Sequence, residues 1–170
     1  MRVLLTFLFA CDGTDDDAST PEPLSPEVAL GTGVEAYIPV EDGDTITIVF
    51  GPQGGYHLDG SMRAQGIVAG DPDDLSDPDN PLTIFRVWDA TGDPISGLEG
   101  AEEIQYREGL EPTAEPGVVE MVGRRIFLDI GSDDEIVGTT IEVEVEVTDV
   151  EGTTVSDRHA LDAVAHPFNP

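Results

Sequence analysis

A strict alternation of apolar and polar residues near the C-terminal end constrains the fold most. Over residues 140–149, an apolar side chain occupies every second position and an acidic residue or threonine fills the positions between. Successive side chains of an extended strand point to opposite faces, so this pattern predicts a half-buried β-strand. The turn residues Val150-Glu151-Gly152 follow, and residues 153–161 are predicted to return as the second strand of a hairpin. The apolar face consists of Ile141, Val143, Val145 and Val147.

Shorter stretches upstream have the same β character. Residues 34–40 and 45–50 alternate in the same way on either side of a turn at Gly43. Residues 82–89 are apolar on both faces, which predicts a central strand. The remaining predicted strands are 56–68, broken at Gly60; 103–107; and 118–122 with 124–130, as two strands or one strand bent at Gly123.

No stretch has the 3.6-residue periodicity of an amphipathic helix. Eight or nine short strands separated by Gly, Pro and Asp predict an all-β fold, namely an immunoglobulin-like or fibronectin-like β-sandwich. A jelly roll or a small barrel is the alternative. We assign residues 34–165 to this domain and residues 166–170 to a C-terminal tail. The chain has a single cysteine, so the core must hold the fold without an internal disulfide.

Residues 11–33 are predicted to form a linker ahead of the domain. This stretch contains the acidic run Asp15-Asp16-Asp17 and three prolines. Like charges repel and prolines stiffen the backbone, so we expect an extended, disordered tether.

The first eleven residues have the organisation of a secretion signal. Arg2 is followed by an apolar stretch that ends in Leu8-Phe9-Ala10-Cys11. The stretch falls well short of the roughly 20 residues that span a bilayer. The motif resembles the lipobox of bacterial lipoproteins. The resemblance implies that residues 1–10 are a signal peptide, that Cys11 becomes the lipid-carrying N-terminus, and that the protein faces the periplasm or the exterior.

The charge balance excludes several classes of function. The formal net charge is −29, from 36 acidic residues and seven basic residues, all of them arginine. Such a chain repels phosphate backbones and anionic lipid, so we expect no nucleic-acid partner and membrane attachment only through Cys11. The absence of lysine excludes a P-loop or Schiff-base lysine. No hydrolase motif is present, so we expect no enzymatic activity; a hydrolase site built from dispersed residues is the alternative.

The string Gly51-Pro52-Gln53-Gly54-Gly55-Tyr56-His57 is the most distinctive candidate for recognition. It resembles a segment of uncharacterised bacterial surface lipoproteins. Three glycines and a proline predict a tight loop between two strands, and adjacent glycines permit close approach of a ligand to the backbone. A demanding hairpin turn would use the same residues. Our candidate ligand loop comprises Gln53, Gly54, Gly55, Tyr56 and His57.

The acidic segment 71–81 is the candidate metal loop. Calcium takes six to eight oxygen ligands, and carboxylates are abundant here, although the spacing is not that of an EF-hand. A solvated acidic loop is the simpler interpretation, and we expect no other cofactor. The candidate ligands are Asp71, Asp73, Asp74, Asp77 and Asp79.

Together these features predict a lipid-anchored, extracytoplasmic binding or structural module of the bacterial cell envelope. Its partner would be an envelope protein or a glycan. A calcium-dependent adhesion or binding module is one alternative, and a hydrolase with an unrecognised site is the other.

Overall fold

The computed structural model describes residues 24–98 and 100–170, so the signal peptide, Cys11 and the linker up to residue 23 lie outside the described residues. The prediction of an all-β fold is confirmed. The described residues form ten strands and a single 3-10 turn, Asp133–Glu135. The strands are β1 Glu27–Thr32, β2 Ile38–Pro39, β3 Thr45–Phe50, β4 Tyr56–Gln65, β5 Leu82–Trp88, β6 Ile104–Arg107, β7 Glu111–Pro112, β8 Val118–Leu128, β9 Thr140–Thr148 and β10 Thr154–Ala165.

The strands form one curled sheet whose two halves enclose the core. One half has the order β6-β5-β9-β10-β3, with β3 and β10 parallel. The other half centres on β4, which pairs with β1 and β8. Strand β3 joins the halves, because Val49 and Phe50 at its end pair with β4. The curled, continuous sheet fits the jelly-roll or small-barrel alternative to two separate sandwich sheets.

A second connection joins the two halves of the sheet at a place remote from β3 in the strand order. The N–H of Ile95 donates to the carbonyl of Val87 at 2.9 Å, and the carbonyl of Ile95 accepts from Asp129 at 2.8 Å. Ile95 therefore links β5 to the residue after β8. Ser96 lies beside it, fully buried, and its hydroxyl accepts from the N–H of Val87. Backbone hydrogen bonds thus connect the two halves at two places, through β3 and through Ile95.

The alternation on β9 is confirmed in full. Ile141, Val143, Val145 and Val147 are completely buried, whereas the polar residues between them are partly exposed. On the polar face two of the β9 glutamates are paired, since Arg86 of β5 contacts Glu144 at 2.8 Å and Glu146 at 3.4 Å. The sequence pattern predicted that these glutamates share a face; the structure adds that an arginine from the neighbouring strand pairs with them.

Gly60 does not interrupt the third predicted strand, since β4 runs through it. A Cβ at this position would lie 2.6 Å from Cδ1 of Ile126 and 3.1 Å from Cε1 of Phe85. Glycine is required because side chains from β8 and β5 fill that space. The predicted break is thus wrong for a packing reason, and β4 ends at Gln65 instead of residue 68.

The predicted domain boundary at residue 34 is too late. Residues 27–32, assigned to the linker, form β1 and pair with β4 from Glu27↔Gln65 to Thr32↔Gly60. Val28 and Leu30 are buried in the core. The alternating pattern of this segment is short and lies among prolines and acidic residues. The composition of the region is typical of a linker, and the segment was therefore assigned to the linker instead of the domain.

Residues 34–40 were predicted as a strand, but only Ile38–Pro39 is one. Gly33 has a φ of 112°, which turns the chain across the outer face of β4. There the hydroxyl of Ser61 donates to the carbonyl of Gly33 at 3.0 Å. The Arg63 guanidinium lies 4.7 Å from the centre of the Tyr37 ring. This segment therefore covers a sheet face.

Two further predictions concern the later strands. The predicted segments 118–122 and 124–130 form the single strand β8, which ends at Leu128, with Gly123 at a φ of 67° beside the bulge opposite Ser61. The C-terminal tail 166–170 is held against β3, because the Asn169 side chain accepts from the N–H of Phe50 and donates to the carbonyl of Ile48.

Candidate functional site

The two segments singled out in the sequence lie at opposite ends of β4. Glu27, at the start of β1, pairs with Gln65 at the end of β4, and the acidic segment follows shortly after Gln65. The glycine-rich loop immediately precedes Tyr56, the first residue of β4. Ten strand residues at about 3.3 Å each separate the two ends by about 30 Å. The structure therefore does not bring the two predicted sites together.

The glycine-rich loop is a tight hairpin turn between β3 and β4. The N–H of Gly51 donates to the carbonyl of Gly55 at 2.9 Å, and the N–H of Gly54 donates to the carbonyl of Gly51 at 3.0 Å. Gly54 and Gly55 have φ values of 87° and 84°, a region that residues with a Cβ rarely adopt. A Cβ on either glycine would meet open space, so the backbone conformation requires them.

A small recess of about 100 Å³ lies between this turn and β8. Of the five predicted ligand-loop residues, Gln53, Gly54 and His57 line it. Gly55 does not, and the Tyr56 side chain is buried against Phe50 with ring centres 5.1 Å apart. The complete lining is Gly51, Pro52, Gln53, Gly54, His57, Arg125 and Phe127.

His57 is the least exposed polar side chain that lines the recess. The residue is only 6% exposed, and its ring lies 6.3 Å from the ring of Phe127, centre to centre. Burial lowers the pKa of His57; the nearby Asp59 opposes this shift and the Arg125 charge adds to it. Asp59 Oδ1 lies 3.8 Å from Nε2, which is too long for a hydrogen bond. His57 is therefore a buried, neutral imidazole at neutral pH.

Arg125 is the recess residue that the sequence analysis missed. It lies on the exposed face of β8, and its backbone is paired with Asp59 of β4. Its only sequence signal was its rarity, as one of seven basic residues in a chain with 36 acidic ones. Its position beside the turn depends on the β4–β8 register, which a bulge at Gly60 and Met62 shifts. A residue-by-residue reading cannot anticipate such a shift.

The acidic segment forms three consecutive turns that repeat every third residue. Backbone hydrogen bonds run from Asp74 to Asp71, from Asp77 to Asp74 and from Asn80 to Asp77, N–H to carbonyl. In each turn the first aspartate also accepts, through Oδ1, from the N–H two residues ahead. Asp71 and Asp77 each precede a proline, the arrangement favoured in type I turns. This Asp-x-x repeat was a local signal that the calcium hypothesis overlooked.

Asn80 occupies the centre of these turns. The residue is 1% exposed; its Oδ1 accepts from the N–H of Asp71 at 3.0 Å, and its Nδ2 donates to the carbonyl of Asp74 at 2.8 Å. The Arg107 side chain donates to the Asn80 carbonyl from β6. A neutral amide thus satisfies the inward-facing backbone groups of the segment.

The five aspartates proposed as calcium ligands do not converge. Within residues 24–98 and 100–170, no three His, Cys, Asp or Glu side chains are grouped so that they could hold a metal ion. Hydrogen bonds from the hydroxyl and the N–H of Ser76 lower the pKa of Asp74 and commit one of its oxygens. The geometry of the segment is therefore explained by its own hydrogen bonds.

Replacing Asn80 with alanine should lower the free energy of unfolding by about 1–3 kcal/mol, because the Asp71 N–H and the Asp74 carbonyl lose partly buried hydrogen bonds to this buried side chain. Urea unfolding measures the loss, and hydrogen exchange should become faster in residues 71–79. Asp79→Ala, which alters an exposed side chain in the same segment, serves as the control.

We expect millimolar calcium to leave the melting temperature unchanged; a clear rise would instead support the calcium hypothesis.

A larger and more acidic recess, of about 310 Å³, lies beside β8 near Pro72 and Gly109. Its one arginine, Arg124, is already paired with Glu108 and donates to the carbonyl of Val122. The surplus of carboxylates makes this recess unfavourable for anions. Its acidic residues are Glu35, Glu108, Glu111 and Glu120.

No helix in the described part of the chain is sufficiently long and apolar to cross a membrane.

Comparison with protein-family models gives no match, and neither does comparison with curated proteins. Two solved structures are similar to the chain. The crystal structure of CopC from Methylosinus trichosporium OB3b is 12% identical over 76% of this chain and 91% of that one, with a TM-score of 0.30. A DUF4466 family protein from Parabacteroides merdae ATCC 43184 is 13% identical over 79% of this chain and 44% of that one, with a TM-score of 0.27. The chain therefore spans less than half of the second protein, and at these TM-scores neither likeness bears on function.

Proposed function

We propose that the chain is a lipid-anchored, extracytoplasmic binding or structural module of the bacterial cell envelope. The anchor is Cys11, which follows the lipobox-like residues Leu8-Phe9-Ala10. Lipid on this cysteine supplies the attachment that a strongly acidic surface cannot, because a net charge of −29 repels anionic membranes.

The observation that carries the proposal is the orientation of the domain, that is, which end of β4 lies next to the first described residues. The described chain begins next to the C-terminal end of β4, where a Cβ on Gly66 would lie 2.6 Å from the carbonyl oxygen of Leu24. The Gly51–Gly55 turn lies at the other end of that strand. An anchor upstream of Leu24 would therefore leave the turn and its recess facing away from the membrane. The residues between Cys11 and Glu27 could span at most about 50 Å when fully extended.

Metabolic labelling with radioactive palmitate tests the anchor. The full chain should incorporate label and sediment with membranes, whereas Cys11→Ala should lose the label and appear in the soluble fraction. Asp12→Asn, which alters the neighbouring residue and keeps the thiol, is the matched control and should label normally. Label that persists in Cys11→Ala, or never appears in the wild-type chain, would end the anchoring proposal.

A further inference from the structure

Arg125 differs from the other arginines of the described residues. Five of the six form an ion pair or a side-chain hydrogen bond, and Arg125 forms neither. In a chain with 36 acidic residues, a guanidinium with no carboxylate of residues 24–98 and 100–170 within 4 Å of its nitrogens is unusual. Arg125 is exposed and borders the recess beside the Gly51–Gly55 turn. The five paired arginines are Arg63, Arg86, Arg107, Arg124 and Arg158.

His57 brings a second uncommitted polar group to the same recess. Its side chain is more than nine-tenths buried, yet neither ring nitrogen forms a hydrogen bond with the described residues. The Nδ1 edge of the ring faces the turn, since Nδ1 lies 3.7 Å from the position that a Cβ on Gly51 would occupy. The ring therefore has hydrogen-bonding capacity that a ligand or water in the recess would use.

The recess therefore joins a guanidinium and an imidazole, neither of which forms a side-chain hydrogen bond with the described residues, and the backbone of a glycine turn. Its volume of about 100 Å³ suits a small head group whose remainder projects into solvent. We propose that this recess binds the carboxylate group of a ligand, with Arg125 as the counter-ion and the His57 ring as a hydrogen-bond donor. This inference rests on the proposed binding role of the domain, and it does not depend on the lipid anchor.

The charge of the recess favours a carboxylate over a phosphate. Arg125 is the one positively charged residue of the lining, and the buried His57 is neutral, as its lowered pKa indicates. A single guanidinium balances a singly charged carboxylate and forms a bidentate pair with it. A phosphate dianion would leave one negative charge uncompensated in a protein that already carries a large negative charge.

The experiment is a titration of the full chain carrying Cys11→Ala with N-acetylglycine, a mimic of a peptide C-terminus, at constant ionic strength. Backbone and side-chain NMR shifts report binding. We expect saturable shifts at Gly54, His57 and Phe127 and none at Asn80, at the opposite end of the domain. The methyl ester of N-acetylglycine, which lacks the charge, should not bind. Inorganic phosphate should bind more weakly than N-acetylglycine.

Two arginine variants make the test specific. Arg125→Gln should weaken N-acetylglycine binding by at least about tenfold, since it removes a charge-assisted bidentate contact. Arg158→Gln removes the same charge from the outer face of β10 and should leave binding unchanged. Shifts that do not saturate, equal binding of the ester, tighter binding of phosphate or undiminished binding by a folded Arg125→Gln would each overturn the proposal. None of these results bears on palmitate labelling, so the carboxylate-binding proposal and the lipid-anchor proposal can be refuted independently.

Discussion

Replacing Phe85 with alanine is expected to lower the free energy of unfolding by about 3–5 kcal/mol, the usual effect of truncating a fully buried phenylalanine. Phe85 has no exposed surface and lies on β5, between β9 and β6. Its ring reaches across the core to Gly60 of β4 and packs edge-on against Tyr106, with centres 6.4 Å apart. Truncation would leave a cavity at the contact between the two halves of the curled sheet.

Equilibrium urea unfolding measures this loss, and Phe168→Ala is the matched control. Phe168 is 88% exposed in the C-terminal tail, so the same chemical change there should alter stability by less than about 0.5 kcal/mol. Because domains of this kind are stable by about 5–15 kcal/mol, Phe85→Ala should remove a substantial fraction of the total. Equal effects of the two substitutions would contradict the packing described for Phe85.

Replacing Asp149 with alanine is expected to lower the free energy of unfolding by about 2–3 kcal/mol, since two partly buried N–H groups lose a charged acceptor. The Asp149 carboxylate accepts from the N–H of Thr153 at 2.8 Å and from the N–H of Val68 at 3.0 Å. It therefore closes the β9–β10 turn and ties that turn to the segment leaving β4. Removing a negative charge from a chain of net charge −29 would by itself be stabilising, so a net loss identifies the hydrogen bonds as the larger effect.

Asp73→Ala is the matched control, because it removes the same charge from an exposed side chain. It should leave stability unchanged or raise it slightly. Asp149→Asn, which keeps one acceptor oxygen, should fall between the wild-type chain and Asp149→Ala. A loss in Asp73→Ala as large as that in Asp149→Ala would refute a specific role for Asp149.

The Asp149 contribution should also depend on pH in a defined direction. Burial alone would raise the pKa of Asp149, but N–H groups of Val68, Thr153 and Glu151 donate to the carboxylate and hold the pKa below its ordinary value of 3.8. A lowered pKa in the folded state stabilises the fold fully above the ordinary value and loses that effect as pH falls through the lowered one. The stability difference between wild type and Asp149→Ala should therefore be constant near neutrality and shrink below about pH 3.8.

Strand character could be predicted wherever one face of a strand is buried. Ile141 to Val147 alternate strictly and all four apolar residues lie in the core, because period-two burial is a property of the local backbone. The same reasoning failed at Gly60, where glycine fills a packing requirement set by Phe85 and Ile126. It also failed at Val28 and Leu30, whose alternation was hidden among prolines and acidic residues.

The candidate recess could be predicted only in part. The Gly51–Gly55 turn and His57 were identifiable because positive-φ turns restrict the choice of residue. Arg125 was not, since it lies more than sixty residues away and reaches the turn only through the β4–β8 register. The acidic segment shows the reverse case, in which an obvious local cluster is organised by the neutral Asn80.

The sequence by itself determined the all-β class, the tight glycine turn and the large negative charge, because alternation, positive φ and charge are properties of neighbouring residues or of composition. It also contains the lipobox-like motif, whose role remains a prediction. Tertiary structure alone decided that the sheet is continuous through β3 and that the predicted ligand loop lies opposite the start of the domain. It also decided that a distant arginine completes the recess. These features depend on long-range strand register and packing, which no stretch of neighbouring residues encodes.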